Sequence, residues 1–271
     1  MVKKLYKYEF AALLRPLLPL YVLLGVLGLI CRGLQLFESE GTAYSILFWS
    51  SVVALIIAVI VCFVMTVVVG LVRFYRHLFS AEGYLTLSLP VTPAQHLQVK
   101  GTTALAFCLL SLLAAFLAGC IAAAGQPLAE AFRAGVWLLN RWQTMLGGHG
   151  QLFALGVELF VLSLLSVLCA FHVLYACLCV GQLSRRHRLL SAFGVFLGLY
   201  FLAQLLLTLL LIFRRQLAAL AIARYFSSLL DTAPFSALLV LLLIAILGLA
   251  LLTVLFWLVS HWVLKKRLNL E

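Results

Sequence analysis

Six long apolar runs, separated by polar segments, set the pattern of this chain. They cover about residues 17 to 36, 45 to 72, 101 to 124, 152 to 182, 189 to 213 and 236 to 264. A helix rises about 1.5 Å per residue, so roughly 20 apolar residues cross about 30 Å of hydrocarbon. Every run reaches that length, and the longer ones leave room for tilt or for extension beyond the bilayer. The pattern predicts an all-α polytopic membrane protein, with residues 1–271 forming a single six-helix transmembrane domain.

The connecting segments differ in kind. Residues 184 to 188, SRRHR, read as a tight turn. Residues 125 to 150 bring Leu128, Phe132, Leu139, Trp142 and Leu146 close to one face of a helix and end in glycines, which predicts an interfacial helix on the outer leaflet. Residues 214 to 234 place Leu217, Leu220 and Leu229 among polar positions, a spacing that fits a short surface helix or a re-entrant one.

The most patterned connection runs from residue 78 to residue 100, LFSAEGYLTLSLPVTPAQHLQVK. Ser80 offers an N-cap oxygen for a short element, with Glu82 near its positive end. Gly83 keeps that element short, and Tyr84, Leu85, Leu87 and Leu89 supply apolar groups. After Pro90, the run Thr92-Pro93-Ala94-Gln95 matches a capping box with proline at the first helical position, a specific start signal for the third long helix. The segment is therefore a shaped projection. Physics alone leaves open whether it is an interfacial turn or an element that docks on a partner.

Composition agrees with the pattern. Of 271 residues, 66% are hydrophobic and 10% charged, far from the balance of a soluble domain. The formal charge of +11 comes from short basic clusters beside the apolar runs, which argues for membrane anchoring and against nucleic-acid binding. Thirteen Lys and Arg residues fall on one side of the predicted topology and six on the other. Both termini and the 78 to 100 segment are thereby expected in the cytoplasm. The seven cysteines lie mostly within apolar runs, where buried free thiols are the simplest reading.

Candidate chemistry is sparse. Glu158 lies about two turns into the fourth run, as a substrate-path carboxylate or one that reaches the outer headgroups. His172 lies 14 residues further, about 21 Å along a helix, too far to share a site with it directly. There is no H-E-x-x-H, no G-x-S-x-G and no Gly-Lys dipeptide, hence no phosphate-cradling P-loop. The chain is not expected to be an enzyme or to bind a metal or cofactor itself; any ATP must be bound by another chain.

Residues 79 to 92, FSAEGYLTLSLPVT, resemble the Phe, acidic-Gly-Tyr-Leu-Thr and Leu-Pro-Val pattern between the second and third spans of bacterial ABC-2-type transporter permeases. The start, KYEFAALLRPLLPLY, resembles the amphipathic N-terminal helix of that family, and the end, KKRLNLE, its cytoplasmic tail. The resemblance implies a subunit of an ATP-driven exporter in the bacterial cytoplasmic membrane. It would pair with a second permease copy or a related permease and with two ATPase subunits, which hold ATP and Mg. Residues 78–92 would be the coupling segment, and the coupling role falls on Phe79, Ser80, Ala81, Glu82, Gly83, Tyr84, Leu85, Thr86 and Leu87. Ala81 departs from the acidic or polar residue usual at its position.

Residues 1–16 would lie on the inner leaflet, with Lys3, Lys4 and Lys7 on anionic headgroups and Leu13, Leu14 and Leu17 in the acyl region. Pro16 and Pro19 are expected to kink or break the chain before the first span. The cargo class implied is an amphipathic or hydrophobic peptide, lipid or drug. Two other classes stand beside this one: a stand-alone secondary carrier or channel, for which buried charge is scarce, and a membrane scaffold that needs no ATPase.

Overall fold

A computed structural model of the chain describes residues 2–37, 41–79, 92–146, 149–184, 187–213 and 234–266. Among the described residues there are seven α-helices: α1 Val2–Leu36, α2 Thr42–Phe79, α3 Pro93–Ala122, α4 Gln126–Leu146, α5 His149–Gly181, α6 Arg188–Ile212 and α7 Pro234–Lys266. All except α4 are long and apolar enough to cross a membrane, the build of a multi-pass membrane protein. Helices satisfy this requirement because each closes its backbone hydrogen bonds within itself, where lipid offers none. The chain divides into two compact units, Met1–Trp142 and Gln143–Glu271.

In the first unit, α1 packs against both α2 and α3, and α2 against α3. The buried positions of α1 are Glu9, Leu13, Leu17, Leu24, Gly28 and Cys31, and those of α2 are Cys62, Thr66, Gly70, Phe74 and Leu78. Spacings of three, four and seven keep each set on one helix face. Leu13 and Leu17 meet Phe107 of α3, while Leu24 meets Cys62 and Ala118. A Cβ on Gly28 would lie 2.8 Å from the Ala118 carbonyl oxygen, so the missing side chain is what lets α1 and α3 approach there. Hydrogen bonds join the same helices: Tyr21 and Thr66 hydroxyls lie 3.0 and 2.8 Å from that of Ser111. In lipid, where apolar burial gives little drive between helices, close packing and such bonds carry association.

Two expectations change. Pro16 and Pro19 do not divide the chain, because α1 is one helix of 35 residues through both. The prolines are exposed, three residues apart, while buried Leu13, Leu17 and Leu24 hold the helix on either side of them. Leu13 and Leu17 also do not face outward; they are buried against α3. The beginning of α1 packs on the beginning of α3, with Tyr6 and Thr102 hydroxyls 2.8 Å apart and the Phe10 and Phe107 rings 4.7 Å apart.

Length places the polar end of this unit. At about 1.5 Å per residue, the 35 residues of α1 and 38 of α2 measure about 52 and 57 Å, well beyond about 30 Å of hydrocarbon. The overhang falls where the charges are, at the first turns of α1 and the last turns of α2.

α4 carries exposed Leu128, Phe132, Leu139 and Trp142, as an interfacial helix requires. In the second unit α5 packs against α7 and α6. Its buried residues Cys169, Phe171, His172, Tyr175, Ala176, Cys177 and Cys179 gather in its C-terminal part. All seven cysteines of the chain are free thiols. The helix foreseen within 214 to 234 lies outside the described residues up to 233, as do residues 185 and 186 of the SRRHR turn.

Candidate functional site

The first unit buries a carboxylate where its three spanning helices meet. Glu9 of α1 is 4% exposed, on the face that Leu13 and Leu17 continue. Lys100 Nζ of α3 donates to Glu9 Oε1 at 2.7 Å, and Arg73 Nε of α2 donates to Oε2 at 3.0 Å. His77 Nδ1, one turn beyond Arg73, lies 3.7 Å from Oε1, within ion-pair range but beyond a hydrogen bond. One side chain thus ties three helices, and both of its oxygens are engaged.

Charge and burial pull against each other here. Burial disfavours the ionised Glu9, but the Lys100 ammonium, with Arg73 and His77, outweighs it and holds the carboxyl below its ordinary 4.5. Burial likewise lowers the Lys100 ammonium from its ordinary 10.5, with Glu9 opposing. These groups lie before the apolar run of α1, at the end of α2 and at the start of α3. Each member of the pair is the counter-ion the other requires.

Beside the cluster, between α1 and α2, a half-open groove of about 360 Å³ is lined by Ala12, Pro16, Val68, Val69, Val72, Arg73, Arg76 and His77. Its charged residues sit toward the end of α2 and its valines toward the apolar run.

The helices flanking the 78–92 segment both enter the cluster. α2 contributes Arg73 and His77, six and two positions before Phe79, where the helix ends. The Phe79 ring packs back edge-on against Phe74 and tilted against Tyr75, with centroids 6.0 Å away in each case. α3 begins at the foreseen capping box: Gln95 N donates to Thr92 Oγ1 and Thr92 N donates to Gln95 Oε1. Lys100 follows eight positions after Thr92. Ser80, Ala81, Glu82, Gly83, Tyr84, Leu85, Thr86 and Leu87 lie outside the described residues.

Glu158 and His172, the membrane residues singled out from the sequence, both lie on α5, 14 positions apart. Glu158 on α5 is half-buried, and its Oε2 has no hydrogen-bond partner among the described residues. His172, on the same helix, donates from Nδ1 to the Leu168 carbonyl at 2.8 Å and lies against the Tyr175 ring. His261 stacks on Trp257 at 5.4 Å. Among the described residues no three His, Cys, Asp or Glu side chains gather as a metal site would need.

Sequence reasoning passed over Glu9 and Lys100. The signal was there in part: Glu9 is the single acidic residue before position 38, and it continues the four-residue spacing of Leu13 and Leu17. Nothing local, however, distinguishes Lys100 from the neighbouring interfacial cations.

The chain matches no protein-family model, no curated protein and no solved structure. Its own geometry at the base of the first unit is what a functional reading has to use.

Proposed function

We propose that the chain is the membrane-spanning permease subunit of an ATP-binding-cassette exporter, moving an amphipathic or hydrophobic cargo out through the bacterial cytoplasmic membrane. Two ATPase subunits hold ATP and Mg, a second permease completes the pathway, and residues 78–92 are the cytoplasmic element that the ATPase moves.

One observation carries the reading. The helices on both sides of that element are bound to α1 through Glu9, by Arg73 on α2 and Lys100 on α3. A displacement applied to the 78–92 segment therefore reaches three spanning helices together, since moving one alone separates a buried charge from its partner. The six apolar helices, the bias of Lys and Arg toward the side of the segment and the absence of a P-loop in the chain agree with it.

The test is to purify the protein from its native host in mild detergent and identify what accompanies it. A P-loop ATPase is expected, and Tyr84→Asp with Leu85→Asp is expected to lower its transport-coupled hydrolysis by about tenfold or more, the loss of a docked apolar pair. If no ATPase accompanies the chain in membranes or detergent, and transport persists when ATP is depleted, the proposal fails.

A further inference from the structure

We infer that the exposed face of α6 centred on Gln204 is a contact surface for a second copy of this chain, the two α6 helices lying side by side with their Gln204 amides bonded to each other. The inference rests on the reading above for the use of such a pair, but its test measures association with no ATPase present.

Depth is the first reason. α6 has 25 residues, about 37 Å at about 1.5 Å per residue, so it exceeds about 30 Å of hydrocarbon by little at either end. Gln204 lies about 12 Å along the helix from Ile212 and about 24 Å from Arg188, which places its amide within the hydrocarbon. The residue is exposed, and its side chain makes no hydrogen bond among the described residues; the Thr208 hydroxyl donates to its backbone carbonyl instead. Lipid tails offer an amide neither donor nor acceptor. A neighbouring helix that carries both satisfies it, and such bonds help to drive association between spanning helices.

Layout is the second. Gly194, Leu197, Phe201, Gln204, Thr208 and Leu211 are three or four positions apart and form one seam with the seven-residue repeat of paired helices. All six are exposed. Ala192, the buried residue of α6, packs on Gly181 of α5 and lies about 200° around the helix from Gly194, on the opposite face. The seam and the α5 contact therefore do not compete. No Asp, Glu, Lys or Arg occurs from 189 to 212, so two such faces do not repel each other. Copies inserted under the same charge bias share one orientation, and a two-fold axis along the membrane normal sets each seam residue beside its own counterpart at one depth. That symmetry favours groups that pair with themselves. An amide donates through its NH2 and accepts through its carbonyl, so Gln204 and its counterpart can bond reciprocally. Gly194, with nothing within 4 Å of an added Cβ, leaves the two backbones room to approach.

The experiment mixes full chains carrying a donor or an acceptor dye at the C-terminus in phosphatidylcholine vesicles and follows energy transfer as added lipid dilutes the protein. Transfer that saturates at high protein density and falls on dilution is expected. Gln204→Leu suits hydrocarbon better than the native residue and so does not threaten insertion; it is expected to raise the half-association density about tenfold, and Gln204→Asn, which keeps an amide, to raise it less. Leu206→Ala alters an exposed residue on the other side of α6 and is expected to change nothing. Oxidation of the Thr208→Cys variant with copper phenanthroline is expected to give a species of twice the chain mass, which neither Leu206→Cys nor the native chain with its own free thiols gives. A native chain that is monomeric at every density, a Gln204→Leu variant that associates as the native chain does, or an equal loss from Leu206→Ala would each overturn the inference. A monomer that still accompanies an ATPase overturns it and leaves the exporter reading standing, whereas a Gln204-dependent dimer with no ATPase supports it and counts against that reading.

Discussion

The two units use polar groups differently. In the first, polar side chains cross from helix to helix: Glu9 to Arg73 and Lys100, Ser111 to Tyr21 and Thr66, Tyr6 to Thr102. Hydroxyls of both units also return to carbonyls three or four residues back on their own helix, as Thr66 and Thr103 do in the first and Ser163, Thr208, Thr253 and Ser260 in the second, so the difference lies in the bonds between helices. A cross-helix contact in the second unit is the weaker one between the Cys179 thiol and the Ser260 hydroxyl. Burial follows the same division: 22% of the apolar window of each of α1, α2 and α3 is buried, against 6%, none and 6% for α5, α6 and α7. A bond from one helix to another specifies register and rotation; a bond along one helix stabilises that helix wherever it lies. The helices of the first unit are therefore fixed to one another in register and rotation, whereas little of α6 is buried.

The comparison breaks most readily at Glu9. Glu9→Gln leaves Lys100 and Arg73 without their counter-charge, and a loss of about 3–5 kcal/mol is expected in thermal unfolding of the purified protein. The double variant Glu9→Leu/Lys100→Met, with no buried charge left unpaired at that pair, is expected to recover much of it. Acid gives the same information by titration. A carboxyl whose pKa is lowered by folding adds stability above its ordinary 4.5 and loses that stability as the pH falls through the folded value. The melting temperature of the native chain is expected to drop below pH 4.5, and Glu9→Gln to lack that part of the drop. If Glu9→Gln matches the native chain at every pH, the ion cluster does not hold the first unit together.

A smaller effect tests packing. Gly28→Ala forces a methyl toward the Ala118 carbonyl and is expected to cost about 1–3 kcal/mol, the range of overpacking. Gly248→Ala, on α7 with nothing within 4 Å of the new Cβ, is expected to gain up to about 1 kcal/mol from helix propensity. Equal effects in circular-dichroism melts would mean that α1 and α3 have room to separate.

The smallest effect concerns single hydroxyls. Thr66→Val removes the α2 partner of Ser111 and is expected to cost about 1 kcal/mol, whereas Thr253→Val, whose hydroxyl serves its own helix, costs a few tenths. Denaturant titration of the two variants sharpens the comparison if their order holds and removes it if the order reverses.

Much of this fold was legible before any coordinates. Each of the six apolar runs lies largely within one of the six long apolar helices, and the capping box at Thr92 forms with both of its hydrogen bonds. These are local facts: hydrocarbon thickness sets the run length, and a cap involves four consecutive residues. The candidate site was far less legible. Pro16 and Pro19 read as a kink or break because their effect on a single helix is unfavourable, yet α1 continues unbroken through them, with Leu13, Leu17 and Leu24 packed on either side. Leu13 and Leu17 read as lipid-facing because the spacing of leucines marks an apolar face without saying whether lipid or protein covers it.

By itself, then, the sequence determined that this chain is helical, has several runs long and apolar enough to span a membrane and places a more polar segment between its second and third long helices. Each of those conclusions depends on contacts within a few turns or on the composition of a run. Only the tertiary structure decided that Glu9, Arg73 and Lys100, separated by 64 and 91 positions from the carboxylate, form one buried cluster. Such a cluster depends on how three helices are rotated and how far each overhangs its neighbours. That rotation is set by the summed packing of all three helix faces, which no short stretch of the chain contains.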